Sequence, residues 1–139
     1  MQIENAKVLV IDDDPVMTLF VVNILNRLGV RQVEEATNGK AGLVKVSSFR
    51  PDLVLSDIHM ATMGGLEFVK RLRELSDPAL RKTPVLLMSA DSSTQTLNDS
   101  VPLGIAGYII KPPILSAMKI KLEQVLKFRE ARQPANEAL

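Results

Sequence analysis

Short apolar runs and stretches of helical spacing alternate along the whole chain. "KVLVI" (Lys7–Ile11) is apolar at almost every position, as a parallel strand buried on both faces must be. Pro15 to Leu28 then reads as a helix stopped by Gly29. "RQVEEA" (Arg31–Ala36) alternates weakly, which predicts an edge strand, and "NGKAGLVKVSS" predicts a second helix entered at Asn38–Gly39. "DLVLSD" (Asp52–Asp57) is a third strand behind Pro51, followed by a helix over Gly64–Leu75 with apolar residues at 66, 68, 69, 72 and 75. "PVLLMSA" (Pro84–Ala90) predicts a fourth strand, the polar stretch to Ser100 a weak helix, and "AGYII" (Ala106–Ile110) a fifth strand. The last helix runs from about Ile114 to Arg129, with Leu115, Met118, Leu122, Val125 and Leu126 on one face.

Five βα units in succession imply a doubly wound α/β fold, a five-stranded parallel sheet with helices on both faces. No internal repeat interrupts it, so residues 1–130 read as one domain and 131–139 as a polar tail containing Pro134. In such sheets a ligand site forms outside the carboxyl ends of the strands.

Composition narrows the chemistry. With 139 residues, 46% apolar and 24% charged, the chain suits an ordinary soluble domain with a real core. A formal net charge of +1 gives no field that would favour nucleic acid or an anionic membrane. There is no cysteine, which excludes disulfides, thiolate metal sites and Cys nucleophiles, and the single histidine, His59, excludes a multi-His centre. No apolar run approaches a membrane span and no leader-like start is seen, so a cytoplasmic location is expected. Neither G-x-G-x-x-G nor G-x-x-x-x-G-K-[ST] occurs, so no nucleotide fingerprint competes.

The strand-end rule sorts the polar residues. The first strand ends in Asp12–Asp13, the third in Asp57, the fourth in Ser89 and the fifth in Lys111. Asp14 has a local reason, capping a helix whose first position is Pro15. Asp12 and Asp13 do not. Taken singly, each of these residues also fits a turn or a solvated loop; their meeting at one sheet edge is what carries the chemistry. Three neighbouring carboxylates raise one another's pKa, and Lys111 offsets only one charge. The remainder suits Mg²⁺, which takes oxygen ligands and leaves positions for phosphate and water.

"VLVIDDDP", "DLVLSDIHM", "GGLEFVKRLR", "PVLLMSA" and "GYIIKP" together resemble the receiver domain of two-component response regulators, chemotaxis-type or stand-alone, over roughly residues 6 to 128. The resemblance implies a flavodoxin-like sheet in the order 2-1-3-4-5 and a cis peptide between Lys111 and Pro112. It implies Asp57 as phosphoacceptor, Asp12 and Asp13 as the Mg²⁺-binding acids, and the backbone carbonyl of His59 as a further ligand. Ser89 then corresponds to the switch hydroxyl, Tyr108 to the switch aromatic and Lys111 to the phosphate-binding lysine. It further implies a histidine kinase or phosphotransfer protein as donor and a downstream protein partner. The responding surface would be the face of the fourth helix, fifth strand and last helix, which also offers a dimer contact. By the same resemblance His59 and Asp91 would flank the path of attacking water and are expected to tune phosphoryl lifetime. The chain departs from the family pattern at Ala61, Gly64 and Pro113.

Two alternatives stand beside this reading. Asp12-x-Asp14-x-Val16 resembles the opening of haloacid-dehalogenase-like phosphatases, but beyond Lys111 only Glu123, Glu130 and Glu137 remain as acids, and Asp57 would go unused. A pseudo-receiver would keep the fold as a protein-binding module without phosphorylation, which the intact site set disfavours. On the first helix, Met17, Phe20, Val21, Ile24, Leu25 and Leu28 are expected to face the core, leaving Val16, Leu19 and Val22 as a candidate docking patch.

Overall fold

The computed structural model describes residues 1–90 and 98–132, with backbone alone for 128–132. Its five strands are β1 (Lys7–Ile11), β2 (Gln32–Ala36), β3 (Leu53–Asp57), β4 (Val85–Ser89) and β5 (Gly107–Ile110). All pair in parallel in the order β2-β1-β3-β4-β5, the doubly wound, flavodoxin-like sheet expected from the sequence. The helices are α1 (Pro15–Arg27), α2 (Gly39–Phe49), α3 (Gly65–Arg73), the single turn α4 (Pro78–Arg81) and α5 (Leu115–Arg132). The last of these continues past the predicted domain end at residue 130.

The period-2 geometry of a strand divides each apolar run between two cores. Val8, Val10, Leu53, Leu55, Leu86 and Met88 face α1 and α5, where Val21, Leu25, Met118, Leu122 and Leu126 close the layer. Leu9, Ile11, Val54, Val85 and Leu87 face the other way, onto Val46 of α2 and Phe68, Val69 and Leu72 of α3. Every residue of β3 and β4 is buried, whereas β2, at the sheet edge, buries only Ala36.

Local signals set the helix ends. Asp14 accepts from the Val16 N–H at 3.0 Å and Pro15 occupies the first turn. Asn38 accepts from Ala41 N–H at 2.8 Å to open α2. Gly29 follows α1 at φ 94°, a left-handed conformation that glycine adopts without a Cβ penalty. Asp77 caps the unanticipated turn α4 through Ala79 N–H at 2.9 Å, with Pro78 behind it. That Asp-Pro start was a readable signal, but four residues are too few to show periodicity.

One face assignment is corrected. Phe20 is 45% exposed, not core, while Thr18 is buried beside Val21, Ile24 and Leu25. At 100° per residue Phe20 lies about 140° from Leu25, outside the buried arc, and Val22 about 60° away. Val22 is accordingly half-buried against the core, so only Val16 and Leu19 of the candidate patch are exposed, and Phe20, expected in the core, joins them at the surface. Of the weak helix predicted from Asp91 to Ser100, residues 91–97 lie outside the described residues; 98–100 are helical and lead into a 3₁₀ turn at Val101–Leu103.

Phe68 is fully buried between sheet and α3. Phe68→Ala should cost about 3–5 kcal/mol, whereas Val44→Ala on the exposed face of α2 should change stability by less than about 0.5 kcal/mol. Urea unfolding midpoints of the two variants check both values.

Candidate functional site

The parallel register brings the strand ends into one cleft. Asp12 follows β1, Asp57 closes β3, Ser89 closes β4 and Lys111 follows β5, its N–H donating to Ser89 O at 2.9 Å. Asp12 and Asp57 are buried, Ser89 is buried, and Asp13 is exposed at the rim. The Lys111 ammonium reaches across the cleft to both buried acids, 2.9 Å from Asp12 Oδ2 and 3.0 Å from Asp57 Oδ1. Asp12 Oδ1 accepts the Asp14 N–H at 3.0 Å, and Asp57 Oδ1 accepts the Ile58 N–H at 3.0 Å. Both carboxylates are therefore oriented from the backbone as well as from Lys111.

The loop after β3 fits tightly against the site. Gly65 N–H donates to Ile58 O at 2.8 Å, and a Cβ on Gly65 would run into the Asp57 carbonyl. Only glycine lets α3 start this close beneath the cleft. Ser56, which sequence reasoning passed over, donates from its buried Oγ to Asp57 O at 2.9 Å. Its one signal was a hydroxyl inside an otherwise apolar strand.

Charge at the site is unbalanced in a telling way. Burial raises the Asp57 pKa, and the neighbouring Asp12 charge adds to that; the hydrogen bond and charge of Lys111 pull it down only in part. Burial likewise lowers Lys111, but its contacts to Asp12 and Asp57 outweigh this, and its pKa ends above the ordinary lysine value. Lysine stays charged. One carboxylate oxygen from each of Asp12, Asp13 and Asp57 lies within 4.8 Å of the others. Three carboxylates gathered this closely could serve together as oxygen ligands of one Mg²⁺. An all-oxygen, acid-rich donor set fits a hard divalent cation.

The other expected residues fall as follows. Tyr108 on β5 is half-buried beside the α2–α3 core layer, and burial together with the Asp99 charge raises its phenol pKa. The His59 side chain is exposed; Asp91 lies outside the described residues. Val16 and Leu19 are 75% and 71% exposed and, with Phe20, Val22, Asn23 and Asn26, line a shallow groove on α1. The Lys111–Pro112 peptide is cis, and Pro113 is buried.

The fold is a doubly wound α/β domain that gathers paired acids, a third acid, a hydroxyl and a lysine at the carboxyl edge of its sheet. The chain belongs to the response regulator receiver domain family, whose sequence model matches residues 8–123. It is 31% identical to the chemotaxis protein CheY-3 of Vibrio cholerae over 124 residues, covering 89% of this chain and 94% of that one. It is 28% identical to the chemotaxis protein CheY of Pseudomonas aeruginosa, covering 87% and 96%. The solved structure of Vibrio cholerae CheY4, crystallised at low pH, superposes with a TM-score of 0.79 at 32% identity, over 86% of this chain and 98% of that one. Two-component signalling, in which aspartate phosphorylation is typical of the family, is therefore the setting of this chain. The dehalogenase-like alternative falls with this assignment; Asp14, its second motif acid, is occupied as a helix cap. Among the described residues no helix is long and apolar enough to cross a membrane.

The raised Asp57 pKa makes a signed prediction. Between the unfolded value of 3.8 and the higher folded value, the native state binds the extra proton, so ionising Asp57 costs stability as pH rises. In chelator at neutral pH, Asp57→Asn should raise the melting temperature by a few degrees. The gain should shrink as pH is lowered toward the ordinary carboxylate range. Thermal scans of both proteins across that range check the sign.

Proposed function

We propose that Asp57 is the phosphoacceptor of a Mg²⁺-dependent receiver, taking a phosphoryl group from a histidine kinase or histidine phosphotransfer protein. The observation carrying this is the Lys111 ammonium held between Asp12 and Asp57 at hydrogen-bonding distance. The Asp57 oxygen not engaged by Ile58 and Lys111 attacks phosphorus in line. The P–N bond of the phosphohistidine breaks, its electron pair returns to the imidazole, and an acyl phosphate remains on Asp57. Lys111 neutralises charge on the transferring oxygens, and Asp12, Asp13 and Asp57, with the His59 backbone carbonyl, would hold the cation. Bound Mg²⁺ supplies further neutralisation of the phosphoryl oxygens. The chain thus catalyses its own phosphorylation and dephosphorylation and no separate turnover reaction.

The charge-assisted bond that a phosphoryl oxygen offers draws the Ser89 hydroxyl toward Asp57 and lets Tyr108 turn inward. The face around β5 and α5, with the preceding helical segment, then changes shape for a downstream protein or a second copy; this is a shift between two populated states. His59 and Asp91 set the lifetime of the acyl phosphate by governing the approach of water. We take residues 1–130 as the receiver unit and 131–139 as a polar tail, working in the cytoplasm without direct nucleic-acid or membrane binding.

Incubation with acetyl phosphate and Mg²⁺ should add one phosphoryl group by intact mass. The adduct should vanish in Asp57→Asn and in chelator; persistence in either rejects the assignment.

The α1 groove is the proposed seat of the donor, a phosphotransfer helical bundle or kinase domain. Its exposed apolar residues Val16 and Leu19 stand directly after the acidic strand end, with uncharged Asn23 and Asn26 on the rim. Replacing Val16 and Leu19 together with polar residues should slow transfer from the protein donor by about tenfold or more, the loss of two buried contacts. Transfer from acetyl phosphate should not change. Val22 is spared because it also packs on the core.

A further inference from the structure

At the opposite edge of the sheet from the acidic cleft, one arginine ties together two loops. Arg73, the last residue of α3, donates Nε–H to Leu103 O at 2.9 Å and Nη2–H to Gly104 O at 3.2 Å. Its Nη1 donates to Arg81 O at 3.0 Å and to Thr83 O at 2.7 Å. These four carbonyls sit at the end of α4 and just after it, and at the end of the 3₁₀ turn and just after it, on the approaches to β4 and β5, the strands that carry Ser89 and Tyr108. Among the described residues Arg73 forms no ion pair with a carboxylate, and burial lowers its pKa. A partly desolvated guanidinium is costly unless its donors are satisfied. Here neutral carbonyls alone satisfy it, and the planar fork suits them as an ammonium would not.

The residues just before β5 are mostly at the surface, with Ser100 buried behind them. The 3₁₀ turn Val101–Leu103 buries no residue, Val101 and Pro102 are exposed, and only Leu103 and Ile105 touch the core, each half-buried. We propose that Arg73 is a positioning residue that fixes the carboxyl end of the β4–β5 connection and so sets where Tyr108 stands relative to the phosphorylation site. The proposal rests on the switch reading above for its functional meaning, but the anchoring itself is a property of the resting protein. With the entry to β5 pinned, Tyr108 keeps one position beside its β4 neighbour Leu87 and relative to Ser89 at the end of that strand. Without the pin, the entry to β5 shifts more freely and Tyr108 with it.

Tyr108 is the only tyrosine and there is no tryptophan, so intrinsic emission comes from this residue alone. Arg73→Lys keeps the charge and is the gentler variant; Arg73→Ala removes it. In Arg73→Lys, exchange of the Gly104 and Ala106 amides, which donate to Val101 O and Val85 O, should quicken by about tenfold or more, as loss of charge-assisted bonds predicts. Exchange of Leu9 and Leu55 should not change. Beryllofluoride with Mg²⁺ should still load Asp57, while the Tyr108 emission change falls by about half or more, since the residue is no longer held in a single position. Unchanged exchange at Gly104 and Ala106, equal acceleration throughout β1 and β3, or a full Tyr108 response overturns the proposal. If wild-type Tyr108 emission ignores beryllofluoride, the switch reading fails, and the anchor stands or falls on exchange alone.

Discussion

A single ammonium group holds the functional edge of this protein together. Asp12 and Asp57 end neighbouring strands, so the sheet itself forces two buried carboxylates into proximity. Left alone they would repel, and one would take up a proton. Lys111, arriving from the far side of β4, bonds both within 3.0 Å and keeps the cleft anionic without letting it fly apart. Its compensation is partial: Asp57 remains harder to ionise than a free carboxylate, because burial still dominates. A buried, incompletely neutralised acid favours whatever brings more positive charge. That is the electrostatic sense of an acid-rich cleft whose donor set suits a divalent cation.

The rest of the fold serves this arrangement by delivering backbone to the right places. Asp12 is steadied by the Asp14 N–H and Asp57 by the Ile58 N–H, so neither acid depends on Lys111 alone for its orientation. The closeness of Gly65 to the Asp57 carbonyl lets the helix layer tuck directly under the cleft. The two cores on either side of the sheet fix the strand ends at the spacing the site needs.

Much of this was legible from residue pattern because parallel sheets write it plainly. Fully buried strands read as unbroken apolar runs, and the polar residue ending each run marks the ligand edge. Asp12, Asp57, Ser89 and Lys111 were placed at that edge this way, and the family resemblance added the cis peptide, which the structure has, and Tyr108 as a candidate switch. What was not legible depends on tertiary rotation or on isolated residues. Phe20 sits only one step outside the buried arc of α1, a margin finer than periodicity resolves. Arg73 lies in "KRLRE", where a charge normally means solvent, and nothing local betrays that four distant carbonyls await it. Ser56 and the turn α4 are likewise single signals without a period.

The strand order carries a consequence for how the site comes into being. Chain order and spatial order differ: β1 gains its neighbours β2 and β3 early, whereas β5 closes the far edge last. Synthesis proceeds from the amino end, and the three acids are all made well before Lys111 leaves the ribosome. In any chain whose fifth strand has not docked, the acidic cluster lacks its built-in counter-ion. The lysine thus acts as a closing clasp, and the completed charge pattern is a signature that the whole sheet, not merely its first half, has formed.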